Sequence, residues 1–175
     1  SSSDNVSHKY DVTEPTEFTV RISGIVPRLS STDIPAHSVI EVKQWGLTGL
    51  TSLESAFNGN QRLVSVSTDA AGSFADVTNC RSMFSGCLKL VALPDGIFDN
   101  CSKVTDFSYL CRGCISLQYI PDAAFRGLKS VTTFSNAFEG CSSLTDIPAG
   151  LFAGCSNVTS FNTTFSECSS LKVLP

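Results

Sequence analysis

The sequence predicts an α/β solenoid, in which 27-residue coils with short parallel strands and short helical turns stack on one another. Three observations predict it: a repeat in strict register, columns of apolar residues at that period, and an unusual way of being polar. Four stretches align at a spacing of 27: 77–94 (VTNCRSMFSGCLKLVALP), 104–121 (VTDFSYLCRGCISLQYIP), 131–148 (VTTFSNAFEGCSSLTDIP) and 158–175 (VTSFNTTFSECSSLKVLP). A degenerate copy, 50–67 (LTSLESAFNGNQRLVSVS), lies one period upstream. Self-similarity at a fixed period of 20–50 residues is the mark of a stacked-repeat architecture. The chain of 175 residues is only 16% charged, against about 25% in an ordinary globular domain. Its polarity comes instead from 27 Ser and 15 Thr.

The columns show what each position does. Leu50, Val77, Val104, Val131 and Val158 form one, and Leu53, Cys80, Phe107, Phe134 and Phe161 the next. Phe57, Phe84, Cys111, Phe138 and Phe165 follow, then Leu63, Leu90, Leu117, Leu144 and Leu171, then Val66, Leu93, Ile120, Ile147 and Leu174. At 42% apolar content, a column of five apolar residues arises by chance about once in 80, so five such columns describe a periodic core. The linking segments repeat too, with Phe98, Phe125 and Phe152 in one column and Leu47, Phe74, Cys101, Leu128 and Cys155 in another.

Each element follows from these patterns. Residues 1–16 are polar and contain Pro15, and read as a flexible leader. Residues 17–49 read as an N-terminal β cap with a partial first coil, because Phe18, Val20 and Ile22 alternate with polar residues, and Val39, Ile40 and Val42 mark a second strand. Such a cap hides the apolar face of the first repeat. Val39 falls one period before Val66. From 50 to 175, the apolar-x-x-apolar pieces are too short for helices and suit parallel strands. The Phe-x-x-Cys pieces have the i, i+3 spacing of a helical turn. Pro94, Pro121 and Pro148 end the second strand of each coil, since proline donates no ladder hydrogen bond. A 13-residue half is too short to close around its own core, so one coil spans 27 residues and carries two strands. The last copy ends open at Pro175, which predicts end-to-end self-association through its uncapped coil.

The run over 131–148 resembles the BspA-like leucine-rich repeats of bacterial surface proteins, whose units carry the same V-T-x-[IF]…AF-x-x-C-x-x-L-x-x-I-P pattern. Phe138, Cys141, Leu144, Ile147 and Pro148 carry the match, with parallel matches in the copies either side. The resemblance covers 50–175. It departs from the usual unit by an extra F-x-x-C turn at 151–155. It implies a leucine-rich-repeat-like, right-handed coil and an extracellular or cell-surface location, with a lipid anchor upstream as one route to the surface. It also implies adhesion to host or neighbouring-cell proteins.

Composition narrows the function classes. A net charge of −4 argues against nucleic acid, which needs a concentrated basic surface. No apolar run approaches the ~18 residues of a membrane span. Two histidines, His8 and His37, leave little for a histidine-based metal or catalytic site, and His37, with Asp33 close by, reads as a surface histidine. Cys111-Arg-Gly-Cys114 has redox or zinc-knuckle spacing, but both cysteines fall in core columns, where free Cys behaves as a small hydrophobe. The expectation is eight free thiols, no metal, no cofactor and no enzymatic activity.

The candidate binding face is written on outward strand positions. Thr78, Thr105, Thr132 and Thr159 form a ladder at the first strand, suited to cross-strand hydrogen bonding or to a polar strip facing a ligand. At the second strand the outward residues vary, and Gln118, Tyr119, Asp146 and Lys172 are the candidates, with Tyr119 the anchor. The reading is a surface scaffold that binds an extracellular protein. A glycan-binding module is the alternative, a passive spacer the third possibility, and an enzyme the least favoured.

Overall fold

A computed structural model describes residues 25–32, 38–46 and 49–172 of the chain. The leader, all but Ile25 of the strand expected over 17–25, and His8, Asp33, His37 and residues 173–175 lie outside the described residues.

The coils stack with the expected period. Ser52, Asn79, Asp106, Thr133 and Ser160 are bridged in parallel, each to the next, 27 residues apart. Arg28 is bridged to Ser52 below them, so the first ladder has six levels. We number the coils from the one containing Arg28. The second begins at Leu50, the third at Val77, the fourth at Val104, the fifth at Val131 and the sixth at Val158. A second ladder runs through β1 (Glu41–Val42) and β2 (Ser65–Val66), which pair in parallel, and continues as a bridge between Ala92 and Tyr119. The strands are thus shorter than the repeat suggested, since one residue per coil completes the first ladder and one or two the second.

The first coil has its own register. Val42, not Val39, lies opposite Val66, and Glu41 lies opposite Ser65. Both ladders step 24 residues from the first coil to the second, Arg28 to Ser52 and Glu41 to Ser65, three fewer than the 27 between later coils. The first coil's aromatic residue is Trp45, which meets Phe74 edge-on at 4.8 Å and donates its indole N–H to the Ser67 carbonyl at 2.8 Å.

The Phe-x-x-Cys segments are not helical turns, and the described residues contain no helix. They are chains of β-turns. In the third coil Met83, Ser85 and Cys87 donate to the carbonyls three residues back, at 3.0–3.2 Å. Ser82, Phe84 and Gly86, lying between them, donate instead to Ser108, Leu110 and Arg112 of the fourth coil, at 2.7–2.9 Å. The amides thus alternate between closing a turn and joining two coils. The backbone reason is a left-handed residue every fourth position. Ser82 has φ 54° and Gly86 φ 71°, and the columns repeat this at Ser55 and Gly59, Tyr109 and Gly113, and Asn136 and Gly140. A helix needs successive right-handed residues, so the left-handed residue before each ladder cysteine, Gly86, Gly113, Gly140 or Glu167, forbids one. The turn preceding Cys155 uses Gly154 in the same way. A Cβ there would meet the Gly127 backbone at 3.1 Å, whereas one on Gly127 would meet nothing within 4 Å. Gly127→Ala is expected to cost about 1 kcal/mol from φ alone, and Gly154→Ala clearly more, as read by urea denaturation.

The core is an interlocked set of phenylalanine stacks. Phe98, Phe125 and Phe152 stack at 5.4 and 5.8 Å, and Phe107, Phe134 and Phe161 at 5.5 and 5.7 Å. The two stacks meet edge-to-face at 4.9 Å in three successive coils, the offset geometry that ring quadrupoles favour. A third stack pairs Phe57 with Phe84 and Phe138 with Phe165, and is interrupted at Cys111.

Candidate binding face

The cysteine column is structural chemistry. All eight thiols are free, and seven are buried, with Cys155 half-buried. Cys87, Cys114, Cys141 and Cys168 each donate S–H to the carbonyl 30 residues back (Phe57, Phe84, Cys111 and Phe138) at 3.0–3.2 Å. Cys155 does the same to Phe125 at 2.9 Å. A thiol fits here because it is small, apolar and still a weak donor. Burial pushes the Cys80, Cys87, Cys111 and Cys141 thiols well up, away from the thiolate that nucleophilic chemistry requires. Among the described residues no cluster of three His, Cys, Asp or Glu is placed to hold a metal ion.

The threonine ladder is exposed, and its hydroxyls are engaged. Each threonine amide donates to the carbonyl of its counterpart one coil below, at 2.8–2.9 Å for Thr78, Thr105, Thr132 and Thr159. Each Oγ1 donates to that same carbonyl, at 3.2, 3.2, 3.0 and 3.2 Å in the same order. Thr51 repeats the pattern with Pro27 at 3.0 Å. A ligand at this strip would meet hydroxyl lone pairs and methyl groups, with the protons already committed.

Of the other candidates, Tyr119 is bridged to Ala92 in the second ladder and Gln118 precedes it, whereas Asp146 and Lys172 hold the equivalent columns one and two coils further on, past the last bridge. Gln118, Tyr119, Asp146 and Lys172 are all exposed, Tyr119 by 52%. Beside them stand apolar residues that the sequence reading does not make candidates, although it places Val91 outward. Val64 and Val91 are each 41% exposed at the position of Gln118, and Ile115 is 47% exposed. The amide of Val91 donates to Val64 at 3.4 Å and that of Gln118 to Val91 at 2.8 Å. Val64, Val91 and Gln118 thus occupy one column on three successive coils, with the small, half-buried Ser65 and Ala92 beside the two valines. The signal was available, because a valine between two buried core positions must point outward.

A second missed feature is electrostatic. Tyr109, left-handed at φ 59°, lies under the Arg81 guanidinium at 4.6 Å and near that of Arg112 at 5.8 Å. Arg112 is held by Glu139 of the next coil at 2.9 Å, which keeps the Glu139 carboxyl below its ordinary range and raises Arg112. Asp76 and Lys103 make the same step between coils at 2.6 Å.

No family model matches the chain, and no curated protein does. Among solved structures, it is similar to a leucine-rich repeat protein of T. pallidum at 19% identity, over 86% of this chain and 78% of that one, with a TM-score of 0.28. A leucine-rich repeat protein from Eubacterium ventriosum is similar at 18% identity, over 81% and 46% of the two chains, with a TM-score of 0.24. A leucine-rich cell surface protein from Faecalibacterium prausnitzii is similar at 18%, over 74% and 50%, with a TM-score of 0.26. The chain spans about half the length of the latter two. Among the described residues no helix is long and apolar enough to cross a membrane.

Proposed function

We propose that the chain is a non-enzymatic, cell-surface or secreted scaffold that binds protein through the outward face of its second ladder. The observation that carries this is the contrast between the two ladders. The first repeats one residue, threonine, and spends its hydroxyl protons on the neighbouring coil. The second varies from coil to coil and leaves Val64, Val91 and Tyr119 exposed. Apolar and aromatic surface on a rigid, evenly spaced support is what protein recognition uses. Adhesion to host or neighbouring-cell proteins is the finer form of this reading, and the BspA-like resemblance supports it.

Binding to a panel of extracellular proteins and to a glycan array tests the assignment. Tyr119→Ala is expected to weaken a protein hit at least tenfold, about 1.4 kcal/mol, with the fold unchanged by circular dichroism. Hits confined to glycans, or protein hits indifferent to Tyr119, would overturn it.

A further inference from the structure

Stacking in register sets each charged side chain against its counterpart one coil away, and like charges so placed repel. Between Leu50 and Lys172 there are six such charged pairs. Four have opposite signs: Glu54 with Arg81, Asp76 with Lys103, Asp99 with Arg126, and Arg112 with Glu139. Two have the same sign, Arg62 with Lys89 and Asp95 with Asp122. All four of these residues are exposed, and none takes part in an ion pair with a described residue.

Their placement is systematic. Arg62 and Lys89 each stand two residues before the exposed Val64 and Val91. Asp95 stands four residues after Val91, and Asp122 three after Tyr119. The second ladder therefore has a cationic edge on the second and third coils and an anionic edge on the third and fourth. Between them lies the apolar strip.

We infer that this face pairs with the same face of a second copy of the chain. The inference rests on the proposed function and names the partner of that site. Symmetry fixes the arrangement. A two-fold axis parallel to the coil stack exchanges the two edges while keeping each coil at its own level. It sets Lys89 against Asp95 of the partner subunit, twice, with Arg62 and Asp122 flanking, and lays Val91 on the apolar strip opposite. An axis across the stack would set cation on cation and is excluded by charge. The two solenoids thus run parallel, as copies held on one surface would. Charge complementarity sets the register and the small apolar strip supplies modest burial, so the association is weak and reversible.

Sedimentation velocity on the full chain from about 10 to about 500 μM, a range suited to transient interfaces, tests this. Concentration-dependent dimerisation is expected. Lys89→Glu alone and Asp95→Lys alone should each weaken it at least tenfold. An equimolar mixture of the two variants should restore it, because the mixed dimer has opposite charges at both contacts. Because each change turns a like-charged pair between coils, Arg62 with Lys89 or Asp95 with Asp122, into one of opposite sign, neither variant should lower the unfolding midpoint. A wild type that is monomeric throughout, or a mixture that fails to recover, would overturn the inference. A monomeric chain that binds another protein through Tyr119 would overturn it and leave the proposed function standing.

Discussion

Leu110→Ala is expected to cost the stack about 2–5 kcal/mol, and adding Cys111→Phe to the same molecule is expected to return most of that loss. The reasoning runs through the volume of each coil. In the fifth coil the core positions are Phe134, Ala137 and Phe138, two rings around a small residue. In the fourth they are Phe107, Leu110 and Cys111, and in the third Cys80, Met83 and Phe84, all fully buried. Wherever a ring is replaced by cysteine, the neighbouring small residue becomes Leu or Met. Interiors packed to crystal density accept such exchanges when volume is conserved and resist them singly. Leu110→Ala alone leaves a cavity beside Cys111, and Cys111→Phe alone forces a ring against Leu110, costing about 1–3 kcal/mol. Together they recreate the Ala-Phe pair of the next coil and close the gap in the stack between Phe84 and Phe138. A double-mutant cycle by urea denaturation should give a coupling of about 2 kcal/mol or more. Additive losses would show that the coils are not packed as interchangeable layers.

Alkaline pH is expected to unfold the protein steeply under reducing conditions. Cys80, Cys87, Cys111 and Cys141 are buried, and their thiols are pushed above the usual range by desolvation first, with neighbouring thiols adding to the effect. A group whose folded pKa is raised contributes stability that is fully present below its unfolded pKa and is lost as pH climbs toward the folded value. The unfolded thiol titrates near pH ~8.5. Stability should hold up to about pH 8 and then fall by as much as ~1.4 kcal/mol per pH unit per thiol. At about pH 9.5 the four together remove roughly 5 kcal/mol, a large part of a typical domain's total. Denaturation midpoints from pH 7 to pH 10 in the presence of a reductant measure this. A flat profile would contradict the burial of the ladder.

The low charge of the sequence has a physical reading here. Ser and Thr fill outward positions because a hydroxyl stacks on its own copy without penalty, whereas a charge stacked on its own copy is repelled. Glu139 above Arg112 and Lys103 above Asp76 instead pair opposite signs.

How much was legible in the sequence follows from what a column can encode. The apolar columns give the coil length, the buried face and the alignment that becomes the Phe107, Phe134 and Phe161 stack. The Phe-x-x-Cys turn was misread as helical because i, i+3 spacing is shared by a helical turn and by chained β-turns. What separates them is the column of Gly59, Gly86, Gly113 and Gly140, whose left-handed φ excludes a helix. The first coil was misaligned because it is three residues short, and Val42 replaces Val39 in the register. Of the proposed site, the exposure of Tyr119 could be read from its place between buried Leu117 and Ile120. The engagement of the threonine hydroxyls was hidden, since their partners are backbone carbonyls that no side-chain pattern records.

From the second coil on, one coil is 27 residues, and neighbouring coils are joined amide to carbonyl. Scalar couplings across hydrogen bonds, measured by NMR on labelled protein, test this most directly. Couplings are expected from the amides of Thr78, Thr105, Thr132 and Thr159 to the carbonyls of Thr51, Thr78, Thr105 and Thr132. Couplings at half that spacing, or their absence in a folded chain with protected amides, would contradict it.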